Sequence, residues 1–166
     1  MQKIVIIIIG LFVSTIYAQE EKQMWAKSYL NKEAPVLVVE KWLSDEPDVT
    51  NKFVLIDFWA TWCGPCKKAI PNLNDFQQEF KEDLVVIGIS DEPKSTVKKL
   101  KKPVISYYSA IDTKKTLFNL YQIEGLPHCV IIDPNGIVRW EGFPDLEDFE
   151  LTSKVIEDII KTYKPE

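Results

Sequence analysis

The stretch from Lys52 to Lys67, KFVLIDFWATWCGPCK, constrains this chain more than any other part of it. From Lys52 to Ala60 it is β-rich and almost continuously apolar, the pattern of a central strand covered on both faces. Asp57 is the exception. A carboxylate inside such a strand loses its hydration, so it is expected to titrate above the usual carboxylate range. Directly after the run stand Cys63 and Cys66, separated by Gly64 and Pro65. Beyond them the spacing turns helical: Ile70, Leu73, Phe76 and Phe80 recur at intervals of three and four, with Asn72, Asp75 and Glu79 between them. Pro71 falls inside this segment and predicts a kinked helix rather than a straight one.

A helix beginning near Cys63 places that cysteine among unpaired N–H groups at the positive end of the macrodipole, where a thiolate is favoured over a thiol. Pro65 lies in the first turn, where a missing N–H costs nothing. Cys66 is close enough in sequence to close a small disulfide ring with Cys63. Cys63 is expected to be the exposed nucleophile, and Cys66 the more buried sulfur that acts second. Three readings stand at this point: a working redox pair, a purely structural disulfide, or half of a metal site. A ring this small adds little loop-entropy stabilisation, which weighs against the second. A zinc site needs four ligands, commonly two spaced pairs, and His128 with Cys129 would supply the other pair. Yet Cys129 opens an apolar strand and reads as a small hydrophobe pointing into the core. His128, the sole histidine, reads as a polar residue at a loop edge.

The N-terminus differs from the rest. Lys3 precedes an uncharged run from Ile4 to Ile16, and Ile16-Tyr17-Ala18 ends in a small residue. Residues 1–18 thus have the layout of a signal peptide, and the run is short for a membrane span, which needs roughly 20 apolar residues. An uncleaved N-terminal anchor is the alternative. Residues 19–33 are expected to form a lead-in, a helix or a loose arm, and residues 34–166 one domain able to build its own core. Three cysteines are too few for a small disulfide scaffold, so an export signal with one close pair indicates thiol chemistry outside the cytoplasm. Arg139 is the sole arginine and the net charge is −5, so no basic stripe forms and nucleic acid is not an expected partner.

The remaining pattern places a strand or hairpin arm at Val36–Val39, a loop at Asp45–Asn51 and a strand at Leu84–Ile89. A lysine-rich helix follows from Pro93 to Lys102, then a strand at Val104–Ala110 and a helix at Asp112–Tyr121. Cys129–Ile132 and Ile137–Trp140 form a hairpin about the turn Asp133-Pro134-Asn135-Gly136, and a last helix covers Thr152–Tyr163. The fold class is α/β around one mixed sheet, parallel first and antiparallel at the hairpin.

Asp57-Phe58-Trp59-Ala60 followed by Trp62-Cys63-Gly64-Pro65-Cys66-Lys67 resembles the thioredoxin active-site signature in full, and Pro71 and Gly125-Leu126-Pro127 fit the same family. The opening at Lys32-Glu33-Ala34-Pro35, the helix and strand inserted between Pro93 and Ala110, and the export signal narrow the resemblance to the exported TlpA/ResA-like branch. It covers roughly Ala34 to Ile160. The resemblance implies a thioredoxin-like fold, with an N-terminal extension and an inserted helix and strand before the cis-proline region. It implies that Cys63 and Cys66 form the redox-active disulfide without another cofactor or metal. Asp57 would be the buried acid that takes the proton of Cys66, and Pro127 a cis-proline beside the pair. Trp62, Leu126 and Pro127 would meet substrate, while Trp59 shields the site. Leu126 departs from the threonine, valine or isoleucine common in the family, so the groove is expected to differ in shape there. Gly64-Pro65, the pair of reducing thioredoxins, tunes the potential toward reduction. The expected partners are disulfide-containing envelope proteins, apocytochrome c among the candidates, and a membrane electron donor of the DsbD/CcdA kind; a monomer is expected. An envelope oxidase or isomerase, a peroxidase, and a non-catalytic thioredoxin-fold binding module are the competing readings.

Overall fold

The computed structural model describes residues 24–165, so the signal-peptide reading of residues 1–18 lies outside the described residues. Six strands form one mixed sheet in the order β1-β4-β3-β2-β5-β6. At its centre is β2 (Phe53–Trp59), the apolar run itself, buried at every position but Val54. It pairs in parallel with β3 (Leu84–Ser90) and antiparallel with β5 (His128–Ile132). Outside β3 lies β4 (Tyr108–Ile111), parallel to it, and outside β5 lies β6 (Val138–Gly142), the antiparallel arm of the expected hairpin.

Alternation along β2 divides the core in two. Phe53, Leu55 and Trp59 pack with Ile70, Leu73 and Phe76 of α1 (Gly64–Glu79) and with Ile156 and Ile160 of α4 (Ser153–Tyr163). Ile56 and Phe58 face the other way, onto Leu117 and Phe118 of α3 (Thr116–Leu120) and Tyr121. The helix α1 runs through Pro71, whose missing N–H leaves the carbonyl one turn back without its helical partner. Thr152 caps α4 by accepting the Val155 N–H, a bond worth about 1 kcal/mol. In the hairpin turn Gly136 has φ +81, the left-handed region that its lack of a Cβ permits. Arg139 binds Asp133 at 2.7 Å and lies over the Tyr163 ring, tying the hairpin to α4.

Several expectations change. Val36–Val39 joins no strand; the outer strand is β1 (Lys41–Trp42), where Trp42 and Lys41 pair with Ala110 and Ile111, and Val36 is exposed. The lysine-rich helix shrinks to the single turn α2 (Lys94–Val97), whose N-cap, Pro93, has no side-chain acceptor to offer the first-turn N–H groups. Asp112 does not begin α3. It lies before it and accepts the backbone N–H groups of Thr116, Leu117 and Phe118. The part of the lead-in that is described, from Met24, is neither helix nor loose arm. It is a strap bridged to β6 at Leu30–Val138 and to the residue before β6 at Glu33–Ile137, with Glu141 accepting from Ser28 and the Tyr29 N–H.

Candidate active site

The loop after β2 brings the cysteines to the start of α1. Cys63 is the N-cap, and its Sγ accepts the Cys66 N–H at 3.1 Å, satisfying one of the donors a helix start leaves open. The two sulfurs are bonded, S–S 1.98 Å, with Pro65 in the first turn. Gly64 and Pro65 are exposed above the pair. Cys66 is buried as expected, but Cys63 is only 4% exposed, so the contrast between the sulfurs is slighter than the sequence suggests. The bonded pair packs into the core layer of Trp59, Ala69 and Ile70. Trp62, by contrast, is 70% exposed.

The loop that presents Cys63 is itself held. Glu92, just beyond β3, accepts both the backbone N–H and the hydroxyl of Thr61 and is also reached by the Ser90 hydroxyl. Cys63 N–H donates back to Ala60. Across the sheet, His128 of β5 pairs with Phe58 in antiparallel register, so the residues just before β5 lie at the same sheet end as the loop after β2. Those residues are Leu126, half-buried against both core layers, and Pro127, buried and joined to it by a cis peptide.

Asp57 lies on the α1 side of β2, between Leu55 and Trp59, and is 1% exposed. Tyr107 donates its hydroxyl to Asp57 Oδ2 at 3.0 Å, and the Cys129 thiol donates to Oδ1 at 3.7 Å. Burial pushes the Asp57 carboxyl up to about 7, while these two hydrogen bonds pull it down. Burial first, then the charge of Asp57, pushes the Tyr107 hydroxyl and the Cys129 thiol well above their ordinary ranges, so both remain protonated donors. A buried acid poised near neutrality, on the sheet face covered by the helix that carries the cysteine pair, is able to exchange a proton at working pH.

Cys129 therefore points into the core as expected, but as a polar partner of Asp57. His128 is not at a loop edge. It is 1% exposed on the opposite face, near the rings of Phe58 and Phe143, because neighbouring strand residues face opposite ways. His128 and Cys129 consequently do not converge on the cysteine pair as a four-ligand site would require. Sequence reasoning missed Glu92, Tyr107 and Gly88. Gly88 carried a signal: a lone glycine inside LVVIGIS marks a close approach of another group. Tyr107 carried none, since it meets Asp57 only through the fold.

Comparisons with known proteins agree with this geometry. Residues 33–141 match the AhpC/TSA family. The chain is 31% identical to a thiol-disulfide oxidoreductase ResA of Bacillus thuringiensis subsp. konkukian, over 98% of this chain and 94% of that protein. A ResA of Bacillus anthracis is 33% identical over 81% of each chain. Among solved structures, a putative protein disulfide isomerase of Bacteroides thetaiotaomicron shares the fold with TM-score 0.71, at 23% identity over 86% of this chain and 94% of that one. A putative thiol:disulfide interchange protein DsbE of Chlorobium tepidum has TM-score 0.56 and 26% identity, over 70% and 82%. With a bonded cysteine pair at the start of α1 and a buried acid on the sheet face that α1 covers, the chain belongs to the AhpC/TSA family and is a thiol-disulfide oxidoreductase of the ResA-like kind.

Proposed function

We propose that the chain works as a dithiol reductase of protein disulfides in the cell envelope, with Cys63 and Cys66 as its only redox group. The observation that carries this reading is Cys63 at the N-cap of α1, bonded to Cys66, with Asp57 buried on the sheet face that α1 covers. In the reduced enzyme the Cys63 thiolate attacks a substrate disulfide, forming a mixed disulfide and releasing one substrate sulfur as thiolate. Cys66 then gives its proton to Asp57 and attacks Cys63 Sγ. The Cys63–Cys66 bond forms, the mixed disulfide breaks, and the second substrate sulfur leaves as a thiolate that takes a proton from water. Two electrons pass from enzyme to substrate.

Gly64 and Pro65 support the reducing direction, being the pair of thioredoxins, whose potential is about −270 mV. Trp62, with Leu126 and the cis peptide at Pro127, supplies the apolar contact for an extended substrate segment. The uncharged run Ile4–Ile16 supports export to the periplasm or envelope, where re-reduction requires a membrane electron donor of the DsbD/CcdA kind. The haem-site cysteines of apocytochrome c are one substrate that fits. The chain acts as a monomer.

Equilibration with glutathione or dithiothreitol tests the direction, and insulin reduction tests the chemistry. A potential near that of thioredoxin is expected; one above about −180 mV makes the protein an oxidase or isomerase instead. Cys63→Ser should abolish insulin turnover, and an unchanged rate would make the domain a binding module.

A further inference from the structure

Gly88 stands directly across from Asp57 on the neighbouring parallel strand. A Cβ at Gly88 would lie 2.8 Å from Tyr107 Cε2 and 3.1 Å from Trp59 Nε1. The missing side chain is therefore the seat of the Tyr107 ring. From that seat the hydroxyl reaches Asp57 Oδ2, while among the described residues the other carboxylate oxygen is met by the weakly donating thiol of Cys129.

We propose that Tyr107, seated by Gly88, is a positioning residue for Asp57 in the resolving step, an inference that rests on Asp57 as acceptor of the Cys66 proton. A tyrosine hydroxyl both donates and accepts. Before resolution it donates to the carboxylate. After Asp57 has taken the proton, the same hydroxyl turns and accepts from the new O–H. Neither protonation state then leaves a buried oxygen stranded, a loss that is costly inside a core. A thiol cannot make the same exchange well, because its sulfur is a weak acceptor. Deleting the hydroxyl removes a donor that favours the charged form, so Asp57 moves higher and is a base over less of the neutral range.

The groups on this side of the sheet are few. Tyr107 comes from the segment before β4, Cys129 from β5, and the Cys63–Cys66 pair from α1. The charges that reach the cluster from outside are Asp145, which acts on Cys129, and Lys68, which acts on Asp145.

The test uses the full chain. Reduced enzyme is treated with 5,5′-dithiobis(2-nitrobenzoate), and release of thionitrobenzoate from Cys63 by Cys66 is followed through the pH range where Asp57 titrates. In Tyr107→Phe the midpoint of the profile should rise by about one pH unit, slowing resolution about fivefold at pH 7 and about tenfold well below both midpoints. In an Asp57→Asn background, Tyr107→Phe should change nothing further, because the hydroxyl acts through the carboxylate. An unshifted midpoint in Tyr107→Phe overturns the proposal, and so does an equal loss in the Asp57→Asn background, which is what a merely structural role gives. Should Asp57→Asn alone resolve at the wild-type rate, the reading of Asp57 falls and takes the proposal with it. If Asp57→Asn slows resolution while Tyr107→Phe does not, the proposal alone falls. A second measurement needs no turnover: the Asp57 carboxyl carbon titration by NMR in the oxidised protein. There Gly88→Ala, which keeps the hydroxyl but displaces the ring, should raise the midpoint as Tyr107→Phe does, and an unmoved midpoint in Gly88→Ala overturns the seat.

Discussion

Asp57 and Asp112 are equally buried, each 1% exposed, yet the regions around them hold a carboxylate in different ways. Asp112, after β4, accepts three backbone N–H groups, from Thr116 at 2.9 Å, Leu117 at 2.7 Å and Phe118 at 3.2 Å. Asp57, inside β2, is met by a hydroxyl and a thiol, both on side chains distant in sequence. Backbone donors are fixed in direction and fasten the start of α3. Side-chain donors can turn, so the region around Asp57 can admit a proton without losing its packing. Burial alone thus does not distinguish the two carboxylates; the kind of donor around each does.

The pH dependence of stability sharpens this contrast most. The folded protein holds the Asp57 proton up to about 7, against an ordinary 3.8, so folding binds a proton that the unfolded chain has released. The stabilising contribution is therefore complete below the ordinary value, falls as pH rises between the two, and is gone above about 7. Its full size is about 4 kcal/mol. Chemical denaturation at several pH values should show Asp57→Asn lacking this decline, and so gaining on the wild type at alkaline pH. A wild-type slope retained in that variant would break the comparison at Asp57. At Asp112 the expected effect is structural: Asp112→Ala should cost about 3 kcal/mol by leaving backbone donors of α3 unpaired. Its folded molecules should exchange disulfides at the wild-type rate, and a slowed exchange would show that the two regions are not separate. The smallest effect is expected at Glu92, whose partners Thr61 and Ser90 place it between the two cases. Glu92→Gln keeps one acceptor oxygen and should lower stability by about 1 kcal/mol, measurable as a small drop in Tm.

What was legible in the sequence follows the same division. The β2 strand, the cysteine pair, the start of α1 and the hairpin could be read because each rests on local patterns: an apolar run, a helical spacing, a turn. The α/β class followed from them, while the thioredoxin-like fold and the Cys63–Cys66 disulfide were what the resemblance of the signature implied. Val36–Val39 misled because a short apolar run has no way to announce which partner, if any, lies beside it; the pairing at Ile111 goes to Lys41 instead. The lysine-rich segment has good helix formers, but Pro93 and Pro103 leave it too little length to propagate. The polarity of His128 points to a loop edge, but its place at the head of the buried strand β5 decides where it lies. Tyr107 could not be found at all, since the contact that defines it spans fifty positions of chain.

The strap along β6 has a consequence for how a folded substrate can approach. A sheet offers itself to a passing extended chain through the unpaired groups of its outermost strands. Here one margin, β1, is two residues long, and at the other the strap already bonds Val138 and Gly136 through Asn31, Lys32 and Ala34. Neither margin of the described sheet leaves a long open ladder. Under the proposed function, a partner protein would then be met end-on, by the loops that carry Trp62 and Leu126, and selectivity would reside in a small rim around one sulfur pair rather than along a strand.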